Sequence, residues 1–262
     1  PDCASVIGIA REVAGIYKKQ LNVPYKGVKL EVPSSSFSVE IESPELCPRY
    51  AGRLIKNVKI GPSPWWLRKR LLSIGQRPIN NIVDVTNLVM MEYGQPLHAF
   101  DFDTLRGQKI IVRTPKENEL SFTTLDNVSR TLAPDTLMIC DGEGPVAVAG
   151  VMGGLDSEVT DATVNVLLES ACFNAVSIRK TARALNLPSE ASYRFERGVD
   201  PDGTLNEMER AVSLMCEVSG GTAEPGGIDA YPGRQYPEPL PLRISRTSEL
   251  LGVELTVAQV RD

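Results

Sequence analysis

The chain has 262 residues, of which 42% are hydrophobic and 23% are charged, proportions that are ordinary for a soluble globular protein and argue against general disorder. No apolar run approaches the roughly 18 residues that a membrane-spanning helix needs. The net charge of −5 argues against a surface devoted as a whole to nucleic acid, while a local basic patch remains compatible with it.

Cysteine and histidine usage narrows the kinds of site. The five cysteines are widely spaced and form no C-x-x-C motif, which is typical of free thiols in a reducing cytoplasm rather than of a disulfide framework or a zinc site. His98 is the only histidine, so any site that needs two is excluded. Because the sequence has neither an initiator methionine nor a signal sequence, we expect it to be a piece of a longer cytoplasmic chain.

The first 36 residues predict the edge of a neighbouring domain. Apolar residues at helical spacing predict a helix over residues 3–20 with Asp2 as its N-cap. A strand is expected over residues 28–32, followed by a serine-rich linker. One helix and one strand cannot close a core, so we assign residues 1–36 to the end of a preceding domain.

The central part of the chain, residues 37–232, predicts a module with its own core. Strands are expected over residues 37–41, 50–60, 109–113, 122–125, 128–132, 136–140, 145–151 and 164–168. Helices are expected over residues 65–74, 82–93, 175–186 and 204–219, with Ser63, Asn174 and a capping box from Thr204 to Glu207 at three of their starts. The segment GQPLHAFD, residues 94–101, is expected to be a loop.

The C-terminal part predicts a linker and the start of a further domain. Residues 224–241 are rich in Pro and Gly and are typical of a linker. After them we expect a strand, a helix that ends at Gly252 and a second helix from Thr256. Residues 233–262 are therefore assigned to a linker and the start of this last domain.

Two features of the central module could carry chemistry. The glycines at 150, 153 and 154 follow an apolar strand and could bring backbone close to a ligand, or could form only a tight turn. Glu169 closes the apolar strand VNVLLE, where a buried carboxylate costs several kcal/mol unless it is paired or used. The alternative for Glu169 is a strand end that reaches solvent or an arginine.

His98 is the third candidate, and two interpretations stay open. A lone histidine is commonly a hydrogen-bonded structural residue, but it is also the one group here that could act as a base near neutral pH. The sequence has no G-x-S-x-G motif and no second histidine, so nothing supports a Ser-His-Asp hydrolase.

Seven segments in a fixed order carry a family resemblance. They are RPINNIVDVTN (77–87), GQPLHAFD (94–101), TLDNVSRTLAPDTLMICD (124–141), AGVMGG (149–154), NVLLESACF (165–173), SIRKTAR (177–183) and EASYRFERGVDP (190–201). With these segments the chain resembles the beta chain of bacterial phenylalanyl-tRNA synthetases over essentially its whole length.

The resemblance implies a fold and an assembly. It implies an α+β fold in which residues 37–232 form a tRNA-editing module, a β-sandwich of mixed and antiparallel sheets with packed helices, flanked by partial helical domains. Residues 233–262 would begin a small DNA-binding-like domain. The implied partners are the synthetase alpha chain, in an assembly of two alpha and two beta chains, and tRNA(Phe), without a membrane. ATP and Mg²⁺ would serve the complete synthetase, while this piece would hold no cofactor or metal.

The resemblance also implies a reaction, the hydrolysis of tyrosine wrongly attached to tRNA(Phe). An apolar synthetic pocket rejects an added hydroxyl by only about a hundredfold, so a second site is needed. Glu169 would accept the phenol hydrogen, and Gly153 would place backbone beside the same hydroxyl. A site built to pair this hydroxyl would reject phenylalanine, because buried polar groups would be left unpaired.

Four further residues receive roles from the same resemblance. His98 and Asn87 would lie near the ester and orient the adenosine or the attacking water, and no protein nucleophile would be needed. Ala191 and Ser189 would line the pocket wall, with Ser189 standing where the family usually has threonine. The alternative is a non-catalytic module that binds tRNA or scaffolds the subunits. A shared cavity of about 300–1,000 Å³ would favour the enzyme.

Overall fold

The computed structural model describes residues 2–23, 30, 32–34, 36–234, 236 and 238–261. Within these residues the strands are β1 (Ser38–Ile41), β2 (Arg49–Lys56), β3 (Leu97–Asp101), β4 (Lys109–Arg113), β5 (Ser121–Thr123), β6 (Ser129–Thr131), β7 (Met138–Cys140), β8 (Pro145–Val148), β9 (Met152–Gly153), β10 (Val166–Cys172), β11 (Thr222–Ala223) and β12 (Ile228–Ala230).

The helices precede, separate and follow these strands. They are α1 (Val6–Tyr17), α2 (Trp65–Ser73), α3 (Asn81–Tyr93), α4 (Ala175–Ala184), α5 (Glu190–Phe195), α6 (Thr204–Ser219), α7 (Ile244–Leu251) and α8 (Val257–Arg261). Among the described residues, none of these helices has both the length and the apolar character to cross a membrane.

The strands form two larger sheets and one small hairpin. The first sheet has the order β1-β4-β7-β8-β9, with β1 and β4 parallel and the other pairs antiparallel. The second sheet is antiparallel, with the order β11-β2-β10-β3 and with β12 also paired to β2. Strands β5 and β6 form the hairpin. The mixed sheets and helices confirm the predicted α+β class.

Two cores lie on opposite faces of the second sheet, because successive side chains of a strand point to opposite faces. Tyr50, Phe100 and Leu167 face the first sheet and share a core with its strands. Ile55 and Leu168 point the other way, into a core with α2, α3 and α6. The resulting order of layers is sheet, sheet and helices, and it supports the predicted β-sandwich-like arrangement.

One predicted N-cap is confirmed, and two turn positions have the left-handed conformation that their residue types favour. The Asn174 side chain accepts hydrogen bonds from the backbone of Val176 and Ser177 at the start of α4. Gly94 ends α3 with a φ of 89°, a left-handed conformation that favours glycine. Asn127 has a φ of 60° in the turn between β5 and β6, as expected for a hairpin turn.

Three predicted N-caps are wrong. The N-cap of α1 is Ser5 and not Asp2, since Ser5 Oγ accepts from Gly8 N at 3.0 Å. The Ser63 hydroxyl instead donates to buried Asp84 at 2.6 Å, so α2 begins without it. Thr204 donates to Pro201 O and lies inside α6, whose N-cap is Gly203.

Two segments differ from their predicted secondary structure. Residues 94–101 are not only a loop, since Leu97–Asp101 form β3 at the edge of the second sheet. The predicted linker over residues 224–241 contains β12, and the strand expected after it is absent from the described residues 238–243. Most of the strand predicted over residues 28–32 lies outside the described residues.

Candidate functional site

A cavity lies between the two sheets, at the start of β3 and under the turn that joins β8 to β9. Its lining residues are Pro96, Leu97, His98, Ile139, Ala147, Val148, Ala149, Gly150, Val151, Met152, Gly153, Glu169, Ala191 and Phe195. The empty space between these walls is about 410 Å³, opening included, of which about 70 Å³ can be occupied by the centres of water molecules. This space is large enough for a few water molecules but is narrow for an aromatic side chain.

Glu169 and His98 are direct neighbours across two strands. The antiparallel register pairs Glu169 of β10 with His98 of β3, and directly opposed residues have Cβ atoms about 4.5–5.5 Å apart. Both residues line the cavity. The prediction that Glu169 closes its strand is wrong, because β10 continues to Cys172 and is buried throughout. The acid is therefore held in the middle of a rigid element.

Burial moves the pKa values of the two groups in opposite directions. Glu169 is only 6% exposed, and the loss of water raises its pKa to about 7, against a smaller lowering effect of the Tyr50 phenol. Burial also lowers the pKa of His98 to about 4, because the charged imidazolium is disfavoured away from water. At neutral pH, His98 is neutral and Glu169 is divided between its two protonation states.

Gly153 lets strand β9 approach the imidazole. A Cβ atom added at Gly153 would lie 2.7 Å from His98 Cε1 and 3.0 Å from Leu125 Cδ1, which is too close for either neighbour to stay in place. Gly150 has a different role. It lies in the turn between β8 and β9 with a φ of 66°, a left-handed conformation that favours glycine. The turn expected of this glycine loop is present at Gly150, and the close approach at Gly153 is to His98. An approach of this backbone to a ligand stays a prediction.

The other candidates lie at different distances from the cavity. Ala191 lines it from α5. Ser189 is not among the described lining residues, but its hydroxyl caps α5 by accepting from Ser192 N and donates to Val151 O at 3.2 Å, so it fixes the wall from behind. Asn87 is half-buried on α3 and does not line the cavity either. The roles of these residues stay predictions.

Tyr50 is the main residue that the sequence analysis missed. It is fully buried in β2, and its phenol is close enough to Glu169 to influence the pKa of that carboxyl. A buried tyrosine in an apolar run usually needs a partner for its hydroxyl, which is the one signal that the sequence offers. The partner itself depends on the strand register and is not visible in the sequence.

Metal binding has no support among the described residues. In the described part of the chain, no cluster of three or more His, Cys, Asp or Glu side chains could hold a metal ion. The expectation that this piece needs no metal or cofactor stays a prediction.

Sequence comparison adds the family. A sequence model described as the B3/4 domain matches residues 46–220, a range that contains all six candidate residues. The chain belongs to the B3/4 domain family. The cavity between the sheets is therefore a feature of a B3/4 domain.

Relatives of this B3/4 chain are beta subunits of one ligase. The chain is 59% identical, over 98% of its length, to the phenylalanine–tRNA ligase beta subunit of Desulfotalea psychrophila, and covers 31% of that protein. It is 50% identical, over its whole length, to the phenylalanine–tRNA ligase beta subunit of Moorella thermoacetica, and covers 33% of it. The predicted resemblance is confirmed, and the chain spans about a third of the length of these curated relatives.

A solved structure is also similar, at a lower level. An N-terminal fragment of the phenylalanyl-tRNA synthetase beta subunit from Pyrococcus horikoshii aligns over 100% of this chain and 72% of the fragment, with 15% sequence identity and a TM-score of 0.46. These values are too low to support statements about individual residues.

Proposed function

We propose that this chain is the editing part of a phenylalanine–tRNA ligase beta chain and that it hydrolyses tyrosine esterified to tRNA(Phe). The observation that carries the proposal is the placement of Glu169, a buried carboxyl that lines a largely apolar cavity beside the chain's single imidazole. A carboxyl in such surroundings is costly unless it has a task.

Selection of tyrosine follows from the unused hydrogen-bond capacity of this carboxyl, whose two oxygens can accept from more than one donor. Glu169 Oε2 is buried without a hydrogen-bond partner among the described residues. The phenol of tyrosine would donate to the carboxylate, whereas phenylalanine would leave a buried charge unpaired. Hydrogen bonds to charged groups contribute about 1.5–3 kcal/mol, which corresponds to roughly tenfold or more in favour of the tyrosyl ester.

The cavity walls support direct attack by water. Among the described lining residues, none carries a hydroxyl, thiol or amine side chain, so the serine, threonine, cysteine and lysine nucleophiles of covalent catalysis are not represented there. The neutral imidazole of His98 offers one donor and one acceptor, which suits it to orient a water or the ribose end of the substrate. We assign Asn87 to the same end, Gly153 to the phenol, and Ser189 and Ala191 to the wall.

Substrate entry requires a wider cavity. Leu97, Met152 and Ala191 are partly exposed at its edge, and an unbranched methionine changes conformation easily. We propose that Met152 moves when the tyrosyl ring enters. The small volume is also the observation that favours the second candidate, a B3/4 module that binds tRNA or scaffolds subunits without catalysis.

The remaining assignments concern the complete enzyme. We propose that the alpha chain and tRNA(Phe) are partners, that ATP and Mg²⁺ serve aminoacylation elsewhere in a cytoplasmic synthetase, and that residues 37–232 form the editing module. This chain alone is not expected to charge tRNA. The support is the high identity to beta subunits of phenylalanine–tRNA ligases.

The proposal is tested by deacylation of Tyr-tRNA(Phe) and Phe-tRNA(Phe) with the complete synthetase. Glu169→Gln is expected to lower the ratio of the two rates by about tenfold or more. Glu207→Gln is a matched control, because Glu207 Oε2 is also buried without a partner among the described residues but does not line this cavity. An unchanged ratio in Glu169→Gln, or an equal loss in both variants, would contradict the proposal.

A further inference from the structure

Tyr50 and Glu169 project from the same face of the second sheet. The register of β2 and β10 pairs Tyr50 with Ala171 and Glu169 with Gly52, so Tyr50 and Glu169 are diagonal neighbours two positions apart. Diagonal neighbours are within reach of an aromatic side chain. Gly52, which stands opposite Glu169, has no side chain that could separate the two.

Both side chains have an unpaired buried oxygen. Tyr50 Oη and Glu169 Oε2 are inaccessible to solvent, and in the described residues neither has a partner with hydrogen-bond geometry. Burial and the charge of Glu169 raise the pKa of Tyr50 well above its usual value, so the phenol keeps its proton. A donor without an acceptor thus lies beside an acceptor without a donor, and each group influences the pKa of the other.

We propose that Tyr50 is a positioning residue for Glu169: its phenol donates a hydrogen bond to one oxygen of the ionised carboxylate and so directs the other oxygen at the substrate. This inference rests on the proposed function. The substrate phenol then meets a carboxylate that is already fixed and needs one more donor. Because Tyr50 lies on a central strand, paired with β10 on one side and with β12 on the other, its backbone is held in place without a loop.

The other groups near Glu169 are not charged at neutral pH. Cys47, which precedes β2, is a buried thiol whose pKa is raised by burial and by the charge of Glu169. His98 on β3 is neutral because burial lowers its pKa. Tyr50 is therefore the neighbour that favours the ionised form of Glu169, and loss of its hydroxyl should raise the pH at which discrimination appears.

The test is the ratio of Tyr-tRNA(Phe) to Phe-tRNA(Phe) hydrolysis by the complete synthetase, measured from pH 5.5 to 9. Tyr50→Phe is expected to lower this ratio about threefold to tenfold at pH 7 and to move the midpoint of its rise upward by at least half a pH unit. Tyr93→Phe, which removes a phenol oxygen on α3 away from this cavity, is expected to leave the ratio and the midpoint unchanged.

A second variant keeps the test decisive if Tyr50→Phe fails to fold. Incorporation of 3,5-difluorotyrosine at position 50 nearly preserves the size of the ring and makes the phenol a stronger hydrogen-bond donor. The pH midpoint of the rise in the Tyr-tRNA(Phe) to Phe-tRNA(Phe) hydrolysis ratio is therefore expected to move downward. An unchanged ratio and midpoint in folded Tyr50→Phe, or an upward shift with the fluorinated residue, would overturn the role of Tyr50. If Glu169→Gln still destroys discrimination in that case, the proposed function survives; if it does not, the function itself fails.

Discussion

Glu169 combines burial with a pKa near neutrality. It lies in the centre of a buried strand, and its pKa of about 7 allows it to change charge near physiological pH. The ionised form accepts the hydrogen bond of the substrate phenol more strongly than the protonated form, because a hydrogen bond to a charged group is stronger than one to a neutral group. The charge state of this residue should therefore govern selectivity rather than the rate of hydrolysis.

Selectivity should consequently depend on pH with a definite sign. The ratio of tyrosyl to phenylalanyl ester hydrolysis is expected to rise as pH increases through about 7, the pKa of Glu169. Comparison of the two esters cancels the general acceleration of ester hydrolysis by base. His98 should add no second inflection between pH 5 and 9, since its pKa is about 4. A flat or falling ratio, measured by deacylation assays, would contradict the assignment of Glu169.

At the level of elements, the site depends on a close approach between the two sheets. Strand β9 of the first sheet brings Gly153 against the His98 ring on β3 of the second sheet, where even a single added carbon would lie 2.7 Å from the ring. The imidazole ring also packs edge to face against the Phe100 ring, with the two ring centroids 4.4 Å apart. These contacts fix the imidazole from two sides.

Gly153→Ala should therefore displace His98 and slow the hydrolysis of Tyr-tRNA(Phe) by about tenfold or more, as expected when a positioning contact is lost. Gly61→Ala is the control, because a Cβ atom at Gly61 would meet nothing within 4 Å. The measurement is the single-turnover deacylation rate of both variants. Equal rates for Gly153→Ala and the parent protein would show that the position of His98 is not critical.

The sequence predicts the elements that have strong local signals and misses those that depend on distant pairing. Helix α3 has a long apolar pattern and a terminal glycine, so its limits are predicted within one residue. Strand β3 is missed because Gly94 and Pro96 predict a loop, while the strand forms by pairing with β10, about seventy residues later. Helix α5 has only six residues, too few for a periodic pattern.

The candidate site shows the same division. The chemistry of the side chains and the order of the sequence segments predict Glu169, His98 and Gly153 as site residues. The fold places all three at one cavity. The neighbour relationship between Glu169 and His98 could not be predicted, because it needs the strand register. Tyr50 is hidden for the same reason: its phenol and the carboxyl lie on different strands, more than a hundred residues apart in sequence.

For the whole molecule, the central question is whether the cavity of this B3/4 domain receives a tyrosyl group. The chain represents about a third of the length of its relatives, so the decisive experiment uses the complete synthetase. The experiment also has to show where the tyrosyl side chain binds, because loss of the ester alone does not locate the binding site.

The most direct measurement is a crystal structure of the complete synthetase with a non-hydrolysable tyrosyl-adenosine amide. We expect the tyrosyl ring between the two sheets, with its phenol oxygen at hydrogen-bond distance, about 2.5–3.0 Å, from a carboxylate oxygen of Glu169, and with Met152 moved aside. A ligand bound elsewhere, or a tyrosyl phenol that faces solvent while Glu169 stays unpaired, would contradict the account.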